Sequence, residues 1–223
     1  MGKQKNKRDQ ITELVILLIL LIISFFLWDT NAIYPIKLFV VLLHELSHSI
    51  ATILSGGKII TMNIGFDLGG KCETEGGNTI LIASAGYLGS LLWGMLFFLS
   101  PNNKKSGFWI IIVISIMIVL TTIGVATGAT FILLALILSA LLITAAFYLR
   151  IPIVSIIVRV FGLISCVYIL FDIKDDLLFQ SAAISDATLI SSLTNISTTI
   201  IGTSWILVSI ICIYIAIRFS YKN

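Results

Sequence analysis

The 223-residue chain has only two histidines, and they flank an acid in His44-Glu45-Leu46-Ser47-His48. Four residues make just over one turn of an α-helix, so on a helix both imidazoles leave the same face, about 6 Å apart along the axis. That spacing suits two nitrogen ligands of one tetrahedral Zn2+. Glu45 lies about 100° round the helix, within reach of a water at the metal that it would deprotonate as general base. The competing reading is a satisfied polar cluster. The setting weighs against it: three ionisable groups in an apolar run each cost about 2–3 kcal/mol or more unless they are ligated, paired or wetted.

The surrounding chain is built for lipid. Hydrophobic residues make up 58% of it and charged residues 11%, and its mean hydropathy is +1.11. Soluble domains carry roughly a quarter charged residues. The deficit excludes a disordered chain, a nucleic-acid-binding domain and almost any water-soluble enzyme. The net charge of +3 comes largely from Lys3, Lys5, Lys7 and Arg8, a basic flank. Cys72, Cys166 and Cys212 have no C-x-x-C spacing and make neither a disulfide framework nor a thiolate metal site.

Seven apolar runs are long enough to cross a bilayer: 11–28, 36–54, 79–99, 107–123, 130–149, 151–171 and 196–217. Pro35, Pro101 and Pro152 fall at run boundaries, where a missing N–H costs least. The split at Gly124–Gly128 is the weakest, and six or eight spans are the alternatives. After the second run, Ser55-Gly56-Gly57 stops the helix, Ile59 to Phe66 alternates as a strand, Asp67-Leu68-Gly69-Gly70 turns, and Lys71 to Glu75 returns. The expected architecture is an all-α polytopic membrane protein of about seven transmembrane helices, with a short β-hairpin after the second. It forms a single domain over 1–223, with a basic tail at 1–10, a hairpin loop at 55–78 and an acidic loop at 172–195. The basic start favours a cytoplasmic N-terminus, although Lys104, Lys105, Arg150, Arg218 and Lys222 weaken that rule. Parity puts the end of the second helix and the loops 55–78 and 172–195 on one side.

The segment from Phe39 through His44-Glu45-Leu46-Ser47-His48 to Ser55-Gly56-Gly57-Lys58 resembles the active-site helix of the site-2 protease family of intramembrane zinc metalloproteases, in its short branch without a PDZ domain. Ile59 to Gly65, Ala85-Gly86-Tyr87-Leu88-Gly89-Ser90, Asp172-Ile173-Lys174-Asp175-Asp176 and Ser185-Asp186-Ala187 are similar to the same branch. The resemblance implies a Zn2+ cofactor and a metalloendopeptidase that cleaves a membrane-embedded or juxtamembrane protein segment within the lipid bilayer. It also implies Glu45 as base and His44 and His48 as ligands. Better-known members take a third ligand from an Asp-Gly pair, which this sequence lacks. The third ligand is sought among Asp172, Asp175, Asp176 and Asp186. Asp172 comes first because it closes an apolar run, and Asp175 reads as a solvated helix end. Depth counts against Asp172: straight helices with aligned starts leave it about 13 Å from the level of His48.

The strand from Ile59 to Phe66, through Ile59, Thr61 and Asn63, would hold an unwound substrate by strand addition. Arg159 lies mid-run at the depth of Glu45. An acidic or carbonyl partner is the plainer reading, and polarising a substrate carbonyl the sharper one. Ala85/Gly89, Gly86/Ser90 and Ser90/Gly94 are small-residue pairs that allow close helix packing. Glu13 would snorkel to the interface. Asn195-Ile196-Ser197 is a weak glycosylation acceptor. A prenyl-protein type of membrane protease would need a downstream glutamate, and residues 76–223 contain none. The alternative of another class is a non-hydrolytic polytopic membrane protein, either a metal-binding transporter or an inactive protease-like scaffold. Substrate identity, orientation and oligomeric state are not specified by the sequence.

Overall fold

A computed structural model describes residues 7–28, 30–100, 106–179 and 185–221, with the side chains of Lys7, Asp9, Ile151, Pro152, 169–172 and 174–179 excepted. The elements in order are α1 (Lys7–Phe26), a 3-10 turn (Asn31–Ile33), α2 (Tyr34–Leu54), β1 (Lys58–Ile64), β2 (Gly70–Glu75), α3 (Thr79–Leu99), α4 (Ser106–Val125), α5 (Ala129–Tyr148), α6 (Ile151–Phe179), α7 (Asp186–Thr194) and α8 (Thr198–Tyr221). Among the described residues, five helices are long and apolar enough to cross a membrane, and Gln10–Phe26 and Ile153–Tyr168 are shorter apolar helical stretches.

The helix carrying His44 and His48 is the centre of the bundle. α2 begins with Pro35 in its first turn and ends at Ser55, after which Gly56 takes a positive φ of 80°. Its most apolar stretch is 72% buried, against 44% or less for the other four long apolar helices. α2 is therefore wrapped by protein, while its neighbours show much of their apolar surface to lipid. Antiparallel α3 lies against it, with Gly86 opposite both histidines, Gly89 opposite Ser47, and Phe97 5.5 Å from Phe39 between ring centroids. On its other side α3 meets α6. A Cβ on Gly94 would come within 2.7 Å of the Gly162 carbonyl, so the two backbones touch as the small-residue spacing suggested.

The hairpin forms as expected, antiparallel with Met62 opposite Cys72 and a bulge between Ile59 and Thr61. Leu68 in its turn has a positive φ of 65°, and the Gly69 N–H donates to the Asp67 carboxylate at 3.1 Å. The far edge of β1 is occupied: the Thr127 N–H, between α4 and α5, donates to the Met62 carbonyl at 2.9 Å. The break between α4 and α5 is real, and Gly128 makes it at φ 90°.

Two features differ from the expected layout. Residues 172–195 contain the last turns of α6 and all of α7. Ser185 caps α7, its hydroxyl accepting from the Thr188 N–H at 3.3 Å. Second, α1 and α2 run in the same direction. α6 runs antiparallel to α3, as α2 does, and α1 lies along α6 from Glu13 at Arg159 to Trp28 at Tyr168. Arg159, 1% exposed, forms an ion pair with Glu13 at 3.0 Å, donates to Ser220 and Tyr221, and sits over the Phe98 and Tyr221 rings. The intramembrane arginine has its acidic partner, and Glu13 points into the bundle instead of snorkelling. These contacts lie on α1, α3 and α8.

Candidate metal centre

α2 places His44 and His48 on one face, with ring centroids 4.8 Å apart. Asp186 enters between them from the first residue of α7. Its Oδ2 lies 3.1 Å from Nε2 of His44 and 3.1 Å from Nε2 of His48. Burial pushes the Asp186 carboxyl up. The hydrogen bonds and charges of the two histidines outweigh that and hold it at about 2. At neutral pH it is an anionic oxygen donor facing two imidazoles.

The donor set fits a small divalent ion. Zinc–nitrogen bonds of about 2.0–2.1 Å in a tetrahedron set neighbouring donors about 3.3–3.4 Å apart. The two donor separations of 3.1 Å need only slight expansion. Nδ1 of His48 is 2.7 Å from the Ile82 carbonyl. A proton on Nδ1 donated to that carbonyl leaves the Nε2 lone pair aimed at Asp186, the usual second-sphere arrangement of a ligating histidine. Room for an ion comes from Gly86, where a Cβ would lie 2.4 Å from Nε2 of His44 and 2.6 Å from Nε2 of His48. Among the described residues, His44, His48 and Asp186 form a group able to hold a metal ion.

The site opens into a cleft of about 660 Å³ lined by polar and apolar groups, among them Glu45, Gly70, Cys72, Tyr87 and Tyr168. Glu45 is 5% exposed, and its carboxylate lies against the backbone of Gly70, where a Cβ would come within 2.1 Å of Oε1. Cys72 faces Ser49 at 3.4 Å. Burial pushes its thiol up, the Ser49 hydrogen bond opposes this, and the charges of Glu45 and Asp186 add to it, giving about 11. At that value it is a thiol at neutral pH.

Of the four candidate acids, the structure brings Asp186 to the histidines. Asp172, Asp175 and Asp176 lie on α6, with side chains outside the described residues, and among the described residues of α6 Tyr168 lines the cleft. The parity argument holds, since the segment 172–195 does meet the end of α2 that carries the ligands. Ile59, Thr61 and Asn63 are on β1 and not among the cleft-lining residues. The Thr61 hydroxyl donates to Glu73 at 3.0 Å. Three contributors were missed: Gly70, the Ile82 carbonyl, and Gly86 as room for ligands. Only Gly86 carried a signal, its place in a small-residue pair, and that signal read as packing.

Five helices long and apolar enough to span a membrane define a multi-pass membrane protein, and the half-buried His-His-Asp group gives it a candidate metal centre. The chain belongs to the Peptidase M50B-like family, whose model matches residues 16–216, in agreement with the site-2 protease resemblance. No curated protein and no solved structure matches the chain.

Proposed function

We propose that the protein is an intramembrane zinc endopeptidase in which His44, His48 and Asp186 hold the metal and Glu45 is the general base. The observation that carries this reading is the meeting of both Nε2 atoms with one carboxylate oxygen at 3.1 Å, with His48 fixed by the Ile82 carbonyl. A zinc ion held there would supply Lewis acidity and lower the pKa of water toward neutrality. Glu45, in the cleft wall beside the ligands, takes the proton of the attacking water and returns it to the leaving amine. Gly70, having no Cβ, leaves room for the Glu45 carboxylate beside the strand.

The substrate is a membrane helix that unwinds locally, because a helix hides its carbonyls in its own hydrogen bonds. The edge that would hold it is β2. The Met62 carbonyl faces Thr127, so the Met62 and Cys72 pair turns its polar groups away from one another. The Cys72 N–H and carbonyl then point along the cleft, open to an added strand. α2 to α6 and α8 alternate in direction, giving six crossings, with α1 packed beside α6.

Metal analysis of detergent-purified protein tests the assignment. The parent should hold one zinc per chain. Asp186→Ala should lose it, while Asp172→Ala and Asp176→Ala keep it. Glu45→Gln should retain zinc and lose proteolysis by about 100-fold or more. Zinc lost in Asp172→Ala instead would move the third ligand to α6, and continued cleavage by Glu45→Gln would remove the base.

A further inference from the structure

Tyr87 has no part in the protease reading so far. It follows Gly86 on α3 and is 2% exposed. Its ring meets the His44 imidazole edge to face, with centroids 5.3 Å apart and planes at 85°. On its other side it meets Trp205 of α8, with centroids 4.4 Å apart and planes at 30°. Trp205 is itself buried, in a cluster with Ala83, Tyr87, Ala187 and Ile201. The column therefore runs from α8 through α3 to a ligand on α2.

A histidine ligand needs its ring orientation fixed. Imidazole χ2 is broad and roughly two-fold, and a half turn replaces Nε2 by a carbon. His48 has the Ile82 carbonyl at Nδ1 to select one orientation. At His44 the neighbouring wall is aromatic, and a close-packed interior yields to ring rotation only if that wall moves. Trp205 blocks the direction in which Tyr87 would move.

We propose that Tyr87, backed by Trp205, is a positioning residue for His44: its ring holds the imidazole so that Nε2 faces Asp186, and α8 thereby acts on the metal site without touching it. The inference rests on the zinc-site reading above.

The test uses the full chain in detergent, with zinc affinity measured by chelator competition and the ligand field read from the visible spectrum of the Co2+ form. Tyr87→Phe keeps the ring and should hold zinc more tightly than Tyr87→Leu. Tyr87→Leu keeps apolar volume without the ring. It should weaken zinc binding about tenfold or more, the range seen when supporting groups of metal ligands are removed, and should change the Co2+ spectrum. Trp205→Leu should shift both readouts in the same direction, less strongly. Leu91→Ala removes a buried α3 side chain one turn further on, and should lower thermal stability with affinity and spectrum unchanged. Parental affinity and spectrum in Tyr87→Leu would overturn the proposal, as would an equal spectral change in Leu91→Ala or a loss of affinity in Tyr87→Phe as large as in Tyr87→Leu. A parent that takes up no metal overturns the zinc reading as well. A parent with one zinc and an unaltered Tyr87→Leu overturns this inference alone.

Discussion

At Gly86 a single methyl group would stand 2.4 Å and 2.6 Å from the two imidazole nitrogens. Elsewhere in a helix, Gly→Ala stabilises by about 0.5–1 kcal/mol. At Gly86 the crowding of both imidazoles offsets that gain, so in Gly86→Ala the zinc held by the protein that folds should fall well below one per chain. Full zinc in that variant would place the metal away from the α2–α3 contact. The pair His44 and His48 was readable in the sequence because one helical turn fixes both. Asp186 was only one of four candidates because it stands 142 residues from His44, a separation that only tertiary packing can close. Depth arithmetic counted against Asp172 on a straight helix. It did not see that Ser185 starts a new helix whose first residue returns to the level of the ligands. Gly86 shows another blind spot: small-residue spacing marks close backbone approach, and does not say whether the space saved serves packing or ligands.

Among the elements, the hairpin separates what alternation reveals from what it hides. Period-2 patterning identifies the faces of a strand, and both strands form, the first ending at Ile64 and not at Phe66 because the turn begins at Gly65. It carries no information on which edge meets the site. The sequence pointed to β1 as the substrate strand, through Ile59, Thr61 and Asn63. The outer edge of β1 is joined to the α4–α5 connection at Thr127, a contact across 65 residues that no local pattern encodes. β2 carries the cleft-lining residues. Proline at Cys72 removes an N–H that the ladder to β1 does not use, so the hairpin should survive while an added strand loses one hydrogen bond. Measured against Cys72→Ala, which removes the thiol and keeps the N–H, Cys72→Pro should lower kcat/KM for a membrane substrate by about two- to tenfold, carried by KM. Equal turnover of the two variants would exclude pairing at Cys72.

At the scale of the whole molecule, the shortage of charge is what made the buried ionisable groups readable, and the structure divides them between two sites. One holds His44, Glu45, His48 and Asp186. The other holds Glu13 and Arg159, with Ser220 and Tyr221. The second site fixes topology. Arg159 stands near the start of α6, Tyr221 closes α8, and Phe98 lies at the end of α3, so all three mark the same end of the bundle. Glu13 joins them seven residues into α1, which puts the start of α1 at that end too. Hydropathy alone counts α1 as a crossing, because an apolar helix of 17 residues looks the same whether or not its direction alternates with the next. Seven alternating spans would put the start of α1 and the end of α8 at opposite ends of the bundle, whereas the Glu13–Arg159–Tyr221 cluster brings them to one end. Tags at the N-terminus and C-terminus, probed by protease protection in sealed vesicles of one orientation, should be cut together or protected together. Glu13→Ala leaves Arg159 a buried charge without its carboxylate, and should destabilise the folded protein by about 3–5 kcal/mol. Replacing both residues with apolar ones of similar size should recover much of that loss. Tags cut from opposite sides would restore the seven-span arrangement.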